Sequence, residues 1–506
     1  MLGIVVSRAD SASVHIGEHL RELADWTEHT DGSRPDAAGG GTVYRTDGAE
    51  LREFADIHID LDGVDEAFGR VDDPDETTDR DRRAPDLLAF ASRHAGETGA
   101  LLTAHHTGNF GPAEFGGEDR ALARAAPNAH SRVLAAFRQH APEDYEVGTE
   151  CTHHGPTDLT VPSLFVELGS GERQWQDPEG ARAVAKSILD LRGVDPDRPA
   201  EGGVGGDDTD GAVDGDGSES GASADGDDTA TTADADRRHL AAFGGGHYAP
   251  RVERIVRETD WAVGHVAADW SLDDLGDPDD NREVLRRTFE ASAATRAVVD
   301  GDRPDLKAAI RDLGYEVVGE TWVRETDGVP LSLATALETA VRPVADGLRF
   351  GDPATGGSRD GSRDGDDAFE VVSLPTELLD EAHGIDPDRT RSTVASRALA
   401  FETVENGNRI EGRAAVPTAE AYDGIVDDLA AVLRASYETV EREAGVVRAV
   451  ETAFDPERAR TLGVPDGPKF GALAAGNRVE VDGREIDPEA VHVEREREFS
   501  VDPNDE

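Results

Sequence analysis

The chain is poor in cysteine, methionine and aromatic residues. Its 506 residues include one cysteine and one methionine, and aromatic residues make up 5%. Because a disulfide needs two cysteines, the single Cys151 excludes an intramolecular disulfide and any cysteine-rich zinc ribbon. No stretch approaches the roughly 18 apolar residues of a membrane helix. The apolar run Met1–Ser7 has no basic residue before it, so we expect no signal peptide.

Positive charge is scarce as well. Lysine and arginine together number 51 against 107 acidic residues, which gives a net charge of −56, and only three of the basic residues are lysines. Such self-repulsion destabilises a compact state at low salt, whereas roughly 1 M salt shortens the Debye length to about 3 Å. Residues 201–236 hold 12 of the acidic residues, and without them the net charge is still −44. We therefore expect a cytoplasmic protein from a cell with molar internal salt.

Two low-complexity segments divide the chain. Residues 195–237 are rich in glycine, aspartate, serine, threonine and alanine, and residues 351–367 contain the near repeat GSRDGSRDGDD. Segments of this composition bury too little apolar surface to offset their ordering entropy. We therefore predict an acidic disordered insert at the first position and a low-complexity linker at the second. Three ordered blocks remain, at 1–194, 238–350 and 368–506.

Strand and helix patterns alternate along the first two blocks. The run LGIVVS predicts a strand at Leu2–Ser7, and the apolar spacing that follows predicts an amphipathic helix at Ser11–Leu23. This alternation favours an α/β layered domain. We predict that 1–194 and 238–350 are two parts of one α/β catalytic core. Residues 368–506 are predicted to form a C-terminal α+β extension of unknown role.

Histidine is the most informative residue for chemistry. Four phrases place histidines beside polar residues and, in most cases, glycine: SRH ending at His94, AHHTGNFG with His105 and His106, GTECTHHGPTD with Glu150, His153 and His154, and GGGHYAP with His247. Each phrase follows a short apolar run. Ligands of open α/β sheets bind beyond the carboxyl ends of the strands. We therefore expect the four phrases to converge on one crevice.

Imidazole and carboxylate groups of this kind are suited to holding zinc with an open position for water. In an extended strand, Glu150 and His154 share one face while Cys151 and His153 share the other. The spacing matches no compact signature such as H-E-x-x-H. For a lone histidine such as His265, a hydrogen-bonded core position is the better interpretation. Paired histidines in two glycine-containing loops favour a functional site.

Other catalytic templates fit the sequence less well. There is no G-x-S-x-G nucleophile elbow and no G-x-x-x-x-G-K-[ST] phosphate loop. Cys151 with His153 is an alternative pair of nucleophile and base, and Ser92 is an alternative hydroxyl nucleophile.

Arginines on one predicted helix suggest contact with a nucleic acid. Arg251, Arg254 and Arg257 recur at three-residue spacing on a helix that directly follows the glycine-rich phrase. A helix N-terminus there can bind an anion, and the arginines can follow a phosphate backbone. The alternative is a solvated helix face with salt bridges to Glu253 and Glu258.

At these phrases the sequence resembles the archaeal-type D-aminoacyl-tRNA deacylases in their haloarchaeal form. The matching segments occur in order over about residues 1–320: LGIVVSRADSASVHIGEHL, LLTAHHTGNFGPAEFGG, YEVGTECTHHGPTDLTVPSLFVELGSGERQW and GGGHYAPRVERI. The resemblance implies hydrolysis of the ester that joins a D-amino acid to the 3′ end of tRNA, a chiral proofreading reaction. It also implies a phosphorylase/hydrolase-like fold similar to that of peptidyl-tRNA hydrolases, and zinc as cofactor with two ions per chain.

With this resemblance, the residues predict that zinc activates the attacking water. The catalytic candidates are Glu150, His154, His106 and His94. The metal-binding candidates are His105, His106, His153, His154, His247 and Glu150. Arg251 and Arg254 are the predicted tRNA contacts. We expect D-aminoacyl-tRNA as the partner of a monomeric protein that binds neither DNA nor membranes.

Two other functions stay open from the sequence. The same histidines would serve a metal-dependent amidase or peptidase that acts on small N-acyl compounds. They would also serve a non-catalytic module that binds the 3′ end of tRNA. The closing phrase GVPDGPKFGALAAGNRVEVDGREIDPEAV resembles part of the tRNA 3′-processing metallo-β-lactamase nucleases. Their H-x-H-x-D-H zinc motif is absent, so we do not expect nuclease activity.

Overall fold

The computed structural model describes residues 1–69, 84–197, 237–355 and 369–503. The chain divides into two compact units, Met1–Asp327 and Gly328–Glu506. Most of the two predicted low-complexity segments lies outside the described residues. No helix among the described residues is both long and apolar enough to cross a membrane.

The first unit contains an eight-stranded sheet. Its strands are β1 (Leu2–Ser7), β2 (Thr27–Asp31), β3 (Gly41–Thr46), β4 (Ala49–Phe54), β5 (Leu87–Arg93), β6 (Leu101–His105), β7 (Glu146–Thr149) and β8 (Ser163–Gly169). They lie in the order β2-β3-β4-β1-β5-β8-β6-β7. The central strands β4, β1, β5 and β8 are parallel, whereas β6 runs antiparallel to β8. The predicted α/β class is confirmed, with a large sheet whose central strands are parallel.

Both faces of this sheet are covered. Ile4 and Val6 pack into the larger core, while Val5, which lies between them, packs into the core of the opposite face. This alternation follows from the two-residue period of a strand. The larger core also contains side chains of three helices. The helices of this region are α1 (Ser11–Leu23), α2 (Pro127–His140), α3 (Glu172–Trp175) and α4 (Pro178–Leu189).

A second, wholly parallel sheet completes the first unit. Its strands are β9 (His239–Phe243), β10 (Ala262–Ala267), β11 (Arg296–Val299) and β12 (Glu316–Val318), in the order β10-β9-β11-β12. The accompanying helices are α5 (Pro250–Glu258), α6 (Asp269–Leu275), α7 (Arg282–Ala291), α8 (Pro304–Asp312) and α9 (Glu320–Glu325). Parallel strands need crossover connections, and helices supply them here.

The second unit is built on antiparallel sheets. Its strands are β13 (Leu348–Phe350), β14 (Glu370–Ser373), β15 (Ala400–Val404), β16 (Arg409–Val416), β17 (Thr439–Glu443), β18 (Val446–Phe454), β19 (Val479–Val481), β20 (Arg484–Ile486) and β21 (His492–Ser500). Its helices are α10 (Leu331–Ala340), α11 (Asp352–Thr355), α12 (Thr376–Ile385), α13 (Pro387–Ala395), α14 (Ala419–Leu433), α15 (Pro456–Thr461) and α16 (Pro468–Ala474). The sheets have the orders β13-β15-β16-β14, β17-β18-β21 and β19-β20.

Residues 328–350 lie in this second unit, although the sequence-based division assigned them to the catalytic core. Strand β13 pairs antiparallel with β15, and Arg342 Nε lies 3.0 Å from Glu402 Oε1. These bonds join partners that are far apart in the sequence, so residue patterns alone do not reveal them.

A buried charge network at the edge of the first sheet predicts a large mutational effect. Arg52 is fully buried, and its guanidinium lies 2.6 Å from both Asp31 Oδ2 and Glu50 Oε1. Arg52→Met leaves two buried carboxylates without this partner, so it should lower the free energy of unfolding by about 3–5 kcal/mol. Urea denaturation at constant KCl measures this change. The exposed pair of Arg286 with Glu283 is the control, because Arg286→Met should cost less than about 1 kcal/mol. Equal effects of the two substitutions would contradict the prediction.

Buried His239 predicts a pH dependence of stability. Its Nε2 lies 2.8 Å from Asn128 Oδ1, and burial lowers its pKa to about 4. In the unfolded chain this imidazole binds a proton near pH 6.5. The stability that neutral His239 contributes to the folded state is therefore complete above that pH and is lost as the pH falls toward 4. Between pH 6.5 and 5.5, wild type should lose about 1 kcal/mol more than His239→Gln. Parallel curves for the two proteins in urea denaturation would contradict this assignment.

Candidate functional site

A cleft of about 350 Å³ opens over the first sheet, and three of the four histidine phrases line it. His105 of the fourth phrase does not line the cleft, but its Nε2 lies 3.7 Å from Oε1 of the cleft residue Glu167. The chain directions differ from the expectation. Because β6 runs antiparallel to β8, their carboxyl ends lie at opposite ends of the sheet. The side chains meet instead on the face shared by β5, β8 and β6. The predicted convergence is therefore present, but on a sheet face and not at a common row of strand ends.

Glu167 is a central residue of the site that is not among the candidates predicted from the sequence. It lies on β8, where all seven residues from Ser163 to Gly169 are buried, and it is the only charged residue among them. Because burying an unpaired charge is costly, an acidic residue inside such an apolar run is itself a signal of a function or a partner. In register, Glu167 is the neighbour of Ser92 on β5 and of Thr103 on β6.

Two buried carboxylates share one histidine. His94 Nδ1 lies 3.1 Å from Glu150 Oε1 and 3.7 Å from Glu167 Oε2, and its Nε2 lies 3.0 Å from the Tyr248 hydroxyl. Burial alone would lower the pKa of His94, but the two carboxylates outweigh burial and raise it to about 11. For the same reason the carboxyl pKa values of Glu150 and Glu167 are lowered despite burial. His94 is thus held as a cation between two anions.

His247 completes the surroundings of Glu150. Its Nε2 lies 2.8 Å from Glu150 Oε2, and its Nδ1 lies 3.4 Å from the sulfur of Cys151. Burial, with Glu150 nearby, raises the pKa of the Cys151 thiol to about 12. A thiol of this kind stays protonated at neutral pH, which argues against Cys151 as a nucleophile. Ser92 lines the cleft, but its hydroxyl is directed to the Arg93 carbonyl at 3.4 Å.

Three histidines form a cluster beside the carboxylates. The ring of His105 lies 4.5 Å from that of His153 and 4.7 Å from that of His154, and the last two rings are 4.4 Å apart. Both His153 and His154 take part because β7 ends at Thr149 and the following residues are irregular. The strand alternation expected for Glu150–His154 therefore does not apply.

The three rings share one hydrogen-bonding pattern. The Nδ1 atoms of His105, His153 and His154 lie 3.0, 2.8 and 2.9 Å from the carbonyl oxygens of His106, Cys151 and Gly155. If each Nδ1–H donates to its carbonyl, each Nε2 keeps a free lone pair. This is how metal-binding histidines are oriented in proteins.

The pKa values of this cluster differ by position. Burial lowers the pKa of His154 to about 4 and that of His153 well below its ordinary value. Burial acts on His105 as well, but there Glu167 outweighs it and raises the pKa. Neutral imidazole is the form that binds a metal, so His153 and His154 are already in that form at neutral pH.

His106 is not part of the cluster. It is adjacent to His105 and faces the other side, where its ring nitrogens lie 3.4 Å from the Ser163 carbonyl and 3.2 Å from the Val263 carbonyl. Its nearest aromatic neighbours are His130 and His265, and burial lowers its pKa to about 4. The geometry fits a hydrogen-bonded core residue and not the predicted catalytic or metal-binding role.

The predicted tRNA contacts are already ion-paired. Arg254 Nη2 and Arg251 Nε lie 2.8 and 3.2 Å from Glu320 Oε2. The salt-bridge interpretation of this helix is therefore supported. Arg257 pairs with Glu253 and Glu258 at 3.0 and 2.6 Å, while the partner of Arg251 and Arg254 is Glu320 of α9. A phosphate would have to compete with this carboxylate.

Several side-chain groups in the cleft could hold a metal ion. Their ligand atoms lie within 4.8 Å of one another in three sets: His105 with His153 and His154, Cys151 with His153 and His247, and His94 with Glu150 and Glu167. One observation tests this further: Nε2 of His105 is buried without a hydrogen-bond partner. A buried nitrogen of this kind is expected where a ligand completes the site. The donor set fits a first-row divalent metal.

Comparisons with known proteins find similar sequences over nearly the whole chain. A family model described as D-aminoacyl-tRNA deacylase matches residues 81–318. A protein of that name from Natronomonas pharaonis is 52% identical over 99% of this chain and 100% of its own length. Proteins of the same name from Haloarcula marismortui and Methanoregula boonei are 51% and 32% identical, over 99% of this chain and 100% and 98% of their own lengths. A solved structure of a conserved protein of unknown function is 25% identical, with a TM-score of 0.49, over 65% of this chain and 98% of that one.

His105, the last residue of β6, and its neighbour His106 provide a matched test of metal binding. His105→Asn removes a nitrogen of the cluster, so affinity for Co²⁺ should fall by more than the roughly 10- to 100-fold that loss of a supporting hydrogen bond costs. His106→Asn, a change of equal size at the next residue, should leave the affinity unchanged. Titration with Co²⁺, followed by visible absorbance, measures both. Equal losses for the two variants would show that the His105 cluster is not the metal site.

Proposed function

The chain belongs to the D-aminoacyl-tRNA deacylase family, and we propose that it hydrolyses the ester bond of D-aminoacyl-tRNA, releasing the free D-amino acid and tRNA. The observation that carries this proposal is the convergence of His94, His105, His153, His154 and His247 around the buried carboxylates of Glu150 and Glu167. Such a site has the groups needed to activate water and to move protons.

Zinc is the proposed cofactor, with two ions per chain. The Nε2 atoms of His105, His153 and His154 would hold one ion. The group of His94, Glu150 and Glu167 would hold the second ion in the form in which His94 has lost its proton, whereas proton transfer through His94 needs the form with one ion bound. The orientation of the three Nδ1 atoms supports this fit. So does the Nε2 of His105, which has no hydrogen-bond partner and lies 3.7 Å from Glu167 Oε1. Bound zinc supplies Lewis-acid polarisation of an ester carbonyl and makes a water molecule acidic enough to react at neutral pH.

The carboxylates and His94 have proposed roles in proton transfer. Glu150 is oriented by His247 and His94, and from this position it can accept a proton from water as the water oxygen attacks the ester carbonyl carbon. The bond between that carbon and the ribose oxygen then breaks. His94 carries a proton between Glu150 and Glu167 and can donate it to the departing oxygen. The products are a carboxylic acid and a tRNA with a free terminal hydroxyl.

Chiral proofreading follows if the cleft accepts the D side chain and rejects the L side chain by clash or lost contacts. Arg251 and Arg254 stay proposed tRNA contacts, in competition with Glu320. We also propose that the first unit shares the phosphorylase/hydrolase-like fold of peptidyl-tRNA hydrolases. The parallel strands at the centre of its large sheet support this proposal.

The setting proposed for this reaction is a halophilic cytoplasm, with the protein acting as a monomer on tRNA and not on DNA. The net charge of −56 and the haloarchaeal relatives support the proposal of high internal salt. Acidic side chains spread over the folded parts keep such a chain soluble, while molar salt screens their repulsion.

Matched D- and L-tyrosyl-tRNA test the function directly. At molar KCl, the wild-type protein should release D-tyrosine and leave L-tyrosyl-tRNA intact, and a chelator should abolish the release. Glu150→Gln removes a proton acceptor and should slow the release by roughly 100-fold or more. His106→Asn, outside the cluster, should retain most of it. Tight binding of tRNA without release of either amino acid would favour a binding module and refute the proposal. Release from small N-acyl compounds instead would favour an amidase.

A further inference from the structure

Phe115 is exposed at the edge of the cleft. It has 58% of its surface exposed, the largest fraction among the exposed large hydrophobic residues of the described chain. It lines the same cleft as His153, His154 and Glu167. Aromatic residues are only 5% of this sequence, so an exposed one beside the reactive groups is unexpected on composition. An exposed aromatic ring next to a site offers a flat apolar face on which a planar ligand can stack.

The backbone holds Phe115 in this position. Its carbonyl oxygen accepts a hydrogen bond from Gly155 N at 3.1 Å, which joins it to the residue after His154. Gly116 follows with φ of 76°, and a Cβ there would lie 2.0 Å from the Ile59 carbonyl oxygen. Only glycine fits such a position. The loop is therefore packed tightly on both sides of an exposed ring, which presents the ring in a defined place.

Attraction between opposite charges is limited for the tRNA end at this cleft. The protein carries a net charge of −56, and although Arg93 and His94 line the cleft, Asp10, Glu150 and Glu167 line it as well. Phosphate contacts weaken steeply as salt rises, so at molar salt they contribute little affinity. Stacking of a base on an aromatic ring does not require opposite charges, and it is used by proteins that bind single-stranded nucleic acid. An aromatic surface can therefore bind the tRNA end both beside acidic side chains and at molar salt.

We propose that the ring of Phe115 stacks on the terminal adenine of the aminoacyl-tRNA and so positions the ester over the His153–His154 loop. This inference rests on the proposed function, since it assigns the part of the substrate that Phe115 contacts. Phe115 is a binding and positioning residue here. The hydrogen bond between its carbonyl and Gly155 connects the base-binding surface to the histidine cluster.

A fluorescent base tests the contact without any reaction. In uncharged tRNA with 2-aminopurine in place of the terminal adenine, binding of wild-type protein at molar KCl should quench the fluorescence through stacking. Phe115→Leu keeps an apolar side chain but removes the ring, so it should abolish the quenching and weaken binding by roughly 10-fold. Phe115→Trp keeps a ring and should retain both. Trp270→Leu is the control, because Trp270 is 44% exposed but does not line the cleft.

Kinetics with charged tRNA complete the test. Phe115→Leu should raise KM for D-tyrosyl-tRNA and for D-aspartyl-tRNA by the same factor, since the adenine is common to both. Unchanged quenching and KM in Phe115→Leu would overturn the inference, as would equal effects of Trp270→Leu. An effect confined to D-tyrosyl-tRNA would assign Phe115 to the amino-acid side chain and would also overturn it. Failure of the wild type to release any D-amino acid would instead refute the proposed function, while the fluorescence result would still report on stacking.

Discussion

The site depends on the mutual compensation of buried charges. Glu150 and Glu167 are both almost completely buried, and a carboxylate in such surroundings is stable only with partners of opposite charge or with a metal. His94 lies between them, and His247 and His105 approach from the two sides. Removing any of these groups leaves a buried charge with fewer partners. The buried charges of the cleft are therefore stable only in this geometry. The same charged groups are the ones that can move protons.

The exposed and the buried acidic residues are stabilised in different ways. The exposed acidic residues face water and ions, where screening keeps their repulsion small at high salt. The buried acidic residues of the first unit have specific partners, such as Arg52 for Asp31 and Glu50. The net charge of −56 therefore describes the surface, while a few internal carboxylates determine structure and reactivity. The same surface charge is a reason to expect uncharged contacts with a nucleic-acid substrate.

Much of the local structure was predictable. β1 and α1 have the bounds that their apolar periodicity predicts, because a short buried strand and an amphipathic helix each leave a clear pattern. Boundaries that depend on long-range pairing were not predictable. The pattern predicts a strand from Tyr145 to Thr152, yet β7 ends at Thr149. The predicted catalytic core also extends to 350, whereas β13 pairs with a strand of the second unit.

The sequence by itself determined the chemistry that was available: histidines in short polar phrases, a buried run containing one glutamate, a single cysteine and an extreme acidity. Residue identity and local periodicity are enough for that, since they do not depend on distant contacts. Only the tertiary structure decided which of these groups act together. Whether His105 or its neighbour His106 joins the cluster depends on the face that β6 presents against β8. That face is set by strand register, and register is a property of pairing between segments 60 or more residues apart in the chain.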